Sequence, residues 1–142
     1  MLVKEILSSL ISSFEIDPSA VDFDVAVATY IDPKFKRISF KTVDAYHWDE
    51  DHEFFLIPTG LSQDYFDIAP NISSAKDLLD SLHNLEMEEV LEYRSYVRDK
   101  VARLDDGSVV SLNLPLWGAG IQSKGRIVYF YYGEEPDNRA DQ

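Results

Sequence analysis

The sequence contains no cysteine among its 142 residues. Disulfide bonds, thiolate metal ligands and a cysteine nucleophile are therefore excluded, and the composition fits a reducing compartment. No apolar run approaches the roughly 20 residues that a membrane-spanning helix needs, and the first 14 residues lack the small-residue cleavage site of a secretory signal. These features predict a cytoplasmic protein with no membrane partner.

Basic residues are also scarce. The chain has 13 Lys and Arg against 26 Asp and Glu, which gives a net charge of −13. Nucleic-acid binding normally draws on clustered basic side chains, so we expect no nucleic-acid partner. Two explanations of the acidity stay open: it serves solubility alone, or its field steers a basic protein towards this one.

Apolar residues make up 45% of the chain and aromatic residues 13%, which is enough to build a core. The length suits one compact domain, and we recognise neither a linker nor an internal repeat. We therefore expect a single acidic domain over residues 1–133. The remaining residues, 134–142, are rich in acids and poor in hydrophobic side chains, which predicts a frayed tail.

Helical periodicity marks two segments. In the first, apolar residues recur every three or four positions, which predicts an amphipathic helix over about residues 2–15 that ends before Pro18. This helix is expected to bury Leu7, Leu10, Ile11 and Phe14. The second segment predicts a helix over about residues 74–87, with Ser73 or Ser74 as its N-cap.

Alternating apolar and polar residues mark the strands. Residues 23–57 have the pattern of an antiparallel meander. Residues 90–104 fit either a strand or a helix, and the turn signal at residues 105–108 favours a strand. A last hairpin joins residues 117–121 to residues 126–132, and the second of these strands is apolar or aromatic on both faces, as expected of an inner strand.

These elements together predict an α+β fold. Strands in two antiparallel groups, each next to a helix, indicate a mostly antiparallel sheet of five to seven strands packed on the two helices, which would cover one face of it.

The densest polar cluster in the sequence runs from His47 to Glu53. Its imidazoles and carboxylates could bind a divalent cation or serve as acid and base. On a hairpin, however, His47, Asp49 and Asp51 would share one face while His52 would lie on the other. We therefore predict no metal site, no cofactor and no catalytic residue here.

A Gly-x-Gly pattern occurs at Gly118 and Gly120. A phosphate-binding loop would need a helix directly after it, whereas a strand pattern follows in this sequence. The two glycines therefore predict a bulge or bend in a strand.

The same acidic hairpin offers two aromatic side chains among its charges, a combination that is typical of protein-binding surfaces. The predicted partner-binding residues are Tyr46, Trp48, Asp49, Glu50, Asp51 and Glu53.

The chain is thus acidic, cysteine-free, rich in aromatic residues and of single-domain length, without a catalytic signature. In this overall profile it resembles the bacterial toxin-immunity proteins. The resemblance implies a cytoplasmic inhibitor, and not an enzyme, that binds a basic toxin domain such as a nuclease. Two alternatives stay open: a small enzyme or ligand-binding domain that uses the His47 to Glu53 cluster, and an inhibitor that mimics nucleic acid.

Overall fold

The computed structural model describes residues 1–32, 37–48, 51–59, 71–84, 89–103, 105–106 and 109–133. These residues form two α-helices, two short 3-10 helices and six strands. In chain order the elements are α1 (Val3–Ile16), a 3-10 helix (Pro18–Asp22), β1 (Asp24–Asp32), β2 (Arg37–Trp48), β3 (Glu53–Pro58), α2 (Ala75–His83), a 3-10 helix (Glu89–Glu92), β4 (Arg94–Arg103), β5 (Val109–Gln122) and β6 (Ile127–Tyr132).

The predicted α+β class is confirmed. Four of the six strand pairings are antiparallel, and the pairs β3–β4 and β6–β1 are parallel. The ambiguous segment 90–104 begins with a 3-10 turn and continues as β4, so the preference for a strand is confirmed. The segment 127–132 pairs with both β1 and β5 and is therefore an inner strand, as expected.

The six strands close into a barrel, in the order β1-β2-β3-β4-β5-β6. The expectation of one sheet covered on one face was too simple, because the two longest strands bend. The register of β2 shifts next to Asp44: residues up to Val43 pair with β1, and residues from Val43 onward pair with β3. Strand β5 shifts in the same way next to Trp117, between β4 and β6. Such bulges let one strand turn a corner and take part in two sheets.

One hydrophobic cluster joins side chains of all six strands to both helices. In a closed barrel, a single cluster that touches every strand must fill the interior. Its members include Val27, Tyr46, Phe54, Val97, Leu116 and Phe130 from the strands, and Ile6, Leu10, Leu78 and Leu82 from the helices.

Helix α1 buries one stripe of side chains, formed by Val3, Ile6, Leu10 and Ser13. The predicted burial of Leu10 is confirmed, and Leu7 and Phe14 are partly buried against the core. The predicted burial of Ile11 is wrong, because this side chain is 40% exposed. The buried stripe includes Ser13 instead. The Ser13 hydroxyl donates a hydrogen bond to the carbonyl of Ser9, one turn earlier, at 2.9 Å, so its burial leaves no donor unpaired.

Helix α2 begins as predicted at the N-cap Ser74, whose hydroxyl accepts a hydrogen bond from the N–H of Asp77 at 3.2 Å. The Asp77 carboxylate in turn accepts from the N–H of Ser73 at 2.8 Å, which completes a reciprocal cap. The helix ends at His83, and residues 85–87 of the predicted extension lie outside the described residues. No helix in the described part of the chain is long and apolar enough to cross a membrane.

The order of helix, 3-10 helix and three strands occurs twice, in residues 3–58 and again in residues 75–132. The two parallel pairings and the two bulges fall at matching places in the two units. The helices also match in sequence: residues 3–10 read VKEILSSL and residues 75–82 read AKDLLDSL. The expectation of a chain without an internal repeat is therefore wrong.

The junctions between the two units repeat as well. The N–H of Val3, at the start of α1, donates to the carbonyl of Tyr93 at 3.0 Å. The N–H of Ala75, at the start of α2, donates to the carbonyl of Phe23 at 2.8 Å. Tyr93 and Phe23 each directly precede the first strand of a unit, so each helix is held by the other unit in the same way.

The turns before β3 and β6 also correspond. His52 and Arg126 are the non-glycine residues with positive φ among those described, at 64° and 55°. The His52 ring lies 5.0 Å from the ring of Tyr93, and the Arg126 guanidinium lies 5.2 Å from the ring of Phe23. Since the same strained turn and the same cross-unit contact occur twice, the equivalence of the two units extends to individual side chains.

Asp17 ties the end of α1 to the turn between β5 and β6. Its carboxylate accepts hydrogen bonds from the Ser19 hydroxyl at 2.6 Å and from the Ser123 hydroxyl at 2.7 Å. The hydrogen bonds from Ser19 and then Ser123 lower the pKa of Asp17 below its ordinary value of 3.8. A carboxyl whose pKa is lower in the folded state stabilises that state above its unfolded pKa, and this contribution is lost as the pH falls through the folded pKa.

We therefore expect Ser123→Ala to raise the pKa of Asp17, and Ser19→Ala to raise it further. Both variants should be less stable than the parent at pH 7, and the difference should shrink as the pH falls below about 4. Carboxyl NMR titration gives the pKa, and urea denaturation at pH 7 and pH 3 gives the stabilities. A stability difference that stays constant over this range would show that the two hydroxyls act independently of the charge on Asp17.

Candidate protein-binding surfaces

The predicted partner-binding hairpin lies between β2 and β3. The ring of Tyr46 is only 5% exposed and stacks on Trp48 and Phe54, at centroid distances of 6.0 and 5.6 Å. Trp48 is partly exposed and packs against the core. Tyr46 is thus positioned to support Trp48 from beneath rather than to meet a partner itself.

Of the four acidic residues predicted to bind a partner, the structure describes Asp51 and Glu53. Asp51 is exposed and Glu53 is partly exposed, so both carboxylates add to the negative surface. Asp49 and Glu50 lie outside the described residues. Partner binding by this segment stays a prediction.

The two histidines of the polar cluster have different surroundings. His47 lies in β2 opposite Phe55 and is partly buried, whereas His52 is exposed in the turn and contacts Tyr93. Among the described residues, no group of three or more His, Asp or Glu side chains is arranged to hold a metal ion.

A second surface was not predicted from the sequence. Five aromatic side chains gather on strands β1, β2, β5 and β6, and we call them the outer aromatic face: Tyr30, Phe40, Trp117, Tyr129 and Tyr131. In β6, Tyr129 and Tyr131 alternate with the buried Phe130 and Tyr132, so they point away from the interior. The face is open to solvent in part, and Phe40 is 36% exposed.

The rings of the outer aromatic face hold one another in place. The rings of Tyr30, Tyr131 and Trp117 are nearly parallel, with centroids 4.7 to 6.4 Å apart. Tyr129 meets Tyr131 edge to face at 5.3 Å and Phe40 at 5.2 Å. These are the offset-stacked and T-shaped geometries that aromatic pairs prefer. The five rings therefore form one preorganised surface.

Two glycines of β5 make room for this surface. A Cβ atom on Gly118 would lie 3.2 Å from Cδ2 of Tyr131. A Cβ atom on Gly120 would overlap the hydroxyl end of Tyr129, with Cζ only 2.5 Å away. The glycines thus allow the tyrosine rings to approach the neighbouring strand closely. The predicted bulge is confirmed, between Leu116 and Gly118.

The polar atoms of the outer aromatic face are partly desolvated. Burial, and then the hydrogen bond with the Tyr129 hydroxyl, raise the pKa of Tyr131, so its phenol is neutral at physiological pH. The two hydroxyl oxygens lie 3.5 Å apart. The buried indole N–H of Trp117 finds no acceptor among the described residues.

A polar cleft lies beside β1 and β2. It is lined by Asp24, Thr42, Asp44, Thr59 and Ser73, together with Val25, Val43 and Ile72. The hydroxyl of Thr42 bonds that of Thr59 at 3.1 Å, and Oδ1 of Asp44 is buried without a donor among the described residues. The cleft thus brings two carboxylates and three hydroxyl-bearing side chains together.

No family model, no curated protein and no solved structure matches this chain. The function of the chain is therefore inferred from its own residues and their arrangement.

Proposed function

We propose that this chain is a cytoplasmic protein-binding inhibitor of the bacterial toxin-immunity type, whose partner is a basic domain such as a nuclease. The observation that carries the proposal is the outer aromatic face, five partly exposed rings on a chain of net charge −13. Tyr, Trp and Phe are the side chains enriched in the energetic centres of protein interfaces.

The negative charge and the exposed aromatic rings support different stages of binding. The net negative charge attracts a basic partner over long distances and raises the association rate. The exposed Asp51 and the partly exposed Glu53 contribute to that field. The aromatic rings act after contact, because they bury apolar area while losing little conformational freedom when already stacked. This division predicts that charge controls association and that the rings control dissociation.

The polar cleft favours a second candidate, a small ligand-binding domain. Buried unsatisfied carboxylate oxygens are costly, and the Oδ1 atom of Asp44 is such an atom among the described residues. The two candidates differ in their response to Asp44→Asn. An inhibitor that binds through the outer aromatic face should keep its affinity for the partner in this variant, whereas binding of a small ligand in the cleft should be lost.

Coexpression with basic toxin domains tests the inhibitor proposal, beginning with any such domain encoded by a neighbouring gene. We expect the tagged chain to copurify with one of them in a stoichiometric complex and to suppress its toxicity in the cell. A Trp117→Ala/Tyr131→Ala variant should lose most of this protection, whereas Tyr96→Ala, on the other side of the barrel, should retain it. Failure to bind or protect against any basic toxin domain, the neighbour's included, would refute the proposal.

A further inference from the structure

The outer surface of β3 and β4 also carries an aromatic ring, and there an arginine covers it. Phe55 is 1% exposed, and the guanidinium carbon of Arg98 lies 4.2 Å from its ring centroid. The Nε–H of Arg98 donates to the side-chain oxygen of Asn113 at 3.2 Å, which holds the guanidinium in position. The stacking of a planar guanidinium on an aromatic face is a favourable contact.

The repeat of the two units identifies the equivalent place on the outer aromatic face. Phe55 is the register partner of Tyr96, and Arg98 lies two residues further along β4. In the other parallel pair, Tyr129 is the register partner of Ala26, and Ala28 lies two residues further along β1. Tyr129 therefore corresponds to Phe55, and Ala28 corresponds to Arg98.

The position of the anchoring side chain differs too. Asn113 pairs with Arg98 across β4 and β5, and the equivalent pair across β1 and β2 is Ala28 with Phe40. The outer aromatic face thus has the ring of Phe40 at the place where the other unit has Asn113, the hydrogen-bond acceptor of Arg98. Ala28 brings no cation and is itself fully buried, and the rings of Phe40 and Tyr129 meet in this region with their centroids 5.2 Å apart. The outer aromatic face therefore lacks the cation of the other unit, while its rings stay partly exposed to one from outside.

We propose that the outer aromatic face binds an arginine side chain of the basic protein partner, with the guanidinium stacked on the solvent-exposed side of the Phe40 and Tyr129 rings. The inference rests on the proposed inhibitor function and specifies what its partner presents. The net charge of −13 favours a cationic side chain over a neutral or acidic one. The hydroxyl oxygens of Tyr129 and Tyr131 offer acceptors to its N–H groups.

Arginine fits this place better than lysine. Its guanidinium is flat, weakly hydrated and able to stack on a ring while donating hydrogen bonds in its plane, whereas an ammonium group is a compact and strongly hydrated charge. A partner that places lysine at the same position should therefore bind less tightly, although its charge is the same.

Titration with nona-arginine and nona-lysine peptides tests the inference, because the two probes carry equal charge. The chain has two tryptophans, Trp48 and Trp117, so a Trp48→Phe background reports on the outer aromatic face through Trp117 fluorescence alone. We expect nona-arginine to bind at least about fivefold more tightly than nona-lysine. Tyr129→Leu and Phe40→Leu should each remove most of this preference, and the matched control Tyr96→Leu should retain it.

Thermal unfolding of each variant shows whether it is folded. If Tyr129→Leu does not fold, the peptide affinities of Phe40→Leu, at the more exposed position, test the inference. Equal affinity for the two peptides, or a preference for arginine that survives both substitutions, would overturn arginine recognition at this face. Neither result would affect protection against a toxin in coexpression, which tests the inhibitor function separately. An arginine preference that is lost in both variants supports the site even where no toxin domain is neutralised.

Discussion

Replacing Leu10 by alanine is expected to lower the free energy of unfolding by about 2–5 kcal/mol, because it opens a cavity in a packed core. Leu10 is fully buried in the cluster that joins α1 to the barrel. The adjacent Ile11 is 40% exposed, so Ile11→Ala should change stability by no more than about 0.5 kcal/mol. Urea denaturation of the two variants gives both values.

The repeat adds a second matched variant. Leu82 occupies in α2 the place of Leu10 in α1 and is also fully buried, so Leu82→Ala should cost a similar amount. Comparable losses for Leu10→Ala and Ile11→Ala would contradict the packing of α1 described above, because they would require the buried stripe to be centred between the two positions.

Gly120→Ala is expected to destabilise the fold by about 1–3 kcal/mol, as overpacked sites generally do. The new methyl group would occupy the space of the Tyr129 hydroxyl and outer ring atoms, so the ring must move. Its contacts with Phe40 and Tyr131 would be lost or weakened. Gly118→Ala, where the nearest atom would be 3.2 Å away, should cost less.

A double-mutant cycle isolates the cause. In a Tyr129→Ala background the obstructing ring is absent, so Gly120→Ala should be neutral or slightly stabilising, since alanine loses less backbone entropy than glycine on folding. Denaturation of the four proteins gives the coupling energy. An equal cost with and without the tyrosine ring would mean that Gly120 is needed for its backbone conformation and not for the space above it.

The local elements could be predicted because their signals are local. The periodicity of apolar residues marks α1, and Ser74 with Asp77 marks the start of α2. Closure of the barrel could not be predicted in this way. It depends on the parallel pairing of β1 with β6, whose partners Val25 and Val128 are far apart in the sequence, and on bends at Asp44 and Trp117. Gly118 and Gly120 mark the second of these bends in the sequence, but no residue type marks the first.

The repeat left one signal in the sequence. Lys4, Leu7 and Leu10 recur as Lys76, Leu79 and Leu82 at a constant spacing. The strands show little of it, because corresponding positions hold side chains as different as Arg98 and Ala28. The match of the two helices therefore marks the two units in the sequence, whereas the strand pairing is visible in the structure alone.

The candidate site was harder to predict than the fold. Tyr46 is an aromatic residue beside several acidic ones, a combination that is typical of a binding surface, yet its ring faces the interior. The cause is the shift in register at Asp44, which changes the side of β2 that points inward. The outer aromatic face unites four separate strands, so no single segment reveals it. The clearest sign of this face within one segment is the alternation of Tyr129 and Tyr131 with buried residues along β6.

We propose that the acidity of this chain drives binding of a basic protein and that its aromatic rings retain that protein. Stopped-flow kinetics with the toxin domain that copurifies measures both processes. Raising the salt concentration from about 50 to about 500 mM shortens the electrostatic screening length from roughly 14 to roughly 4 Å. We predict association that slows at least about tenfold over this range, with a much smaller change in dissociation.

Replacing the hairpin acids Asp49, Glu50, Asp51 and Glu53 by Asn and Gln should slow association in the same way, while Trp48→Ala and Trp117→Ala should mainly speed dissociation. Association that is insensitive to salt and unchanged by the fourfold neutralisation would contradict the account, because the charge of −13 would then serve solubility alone.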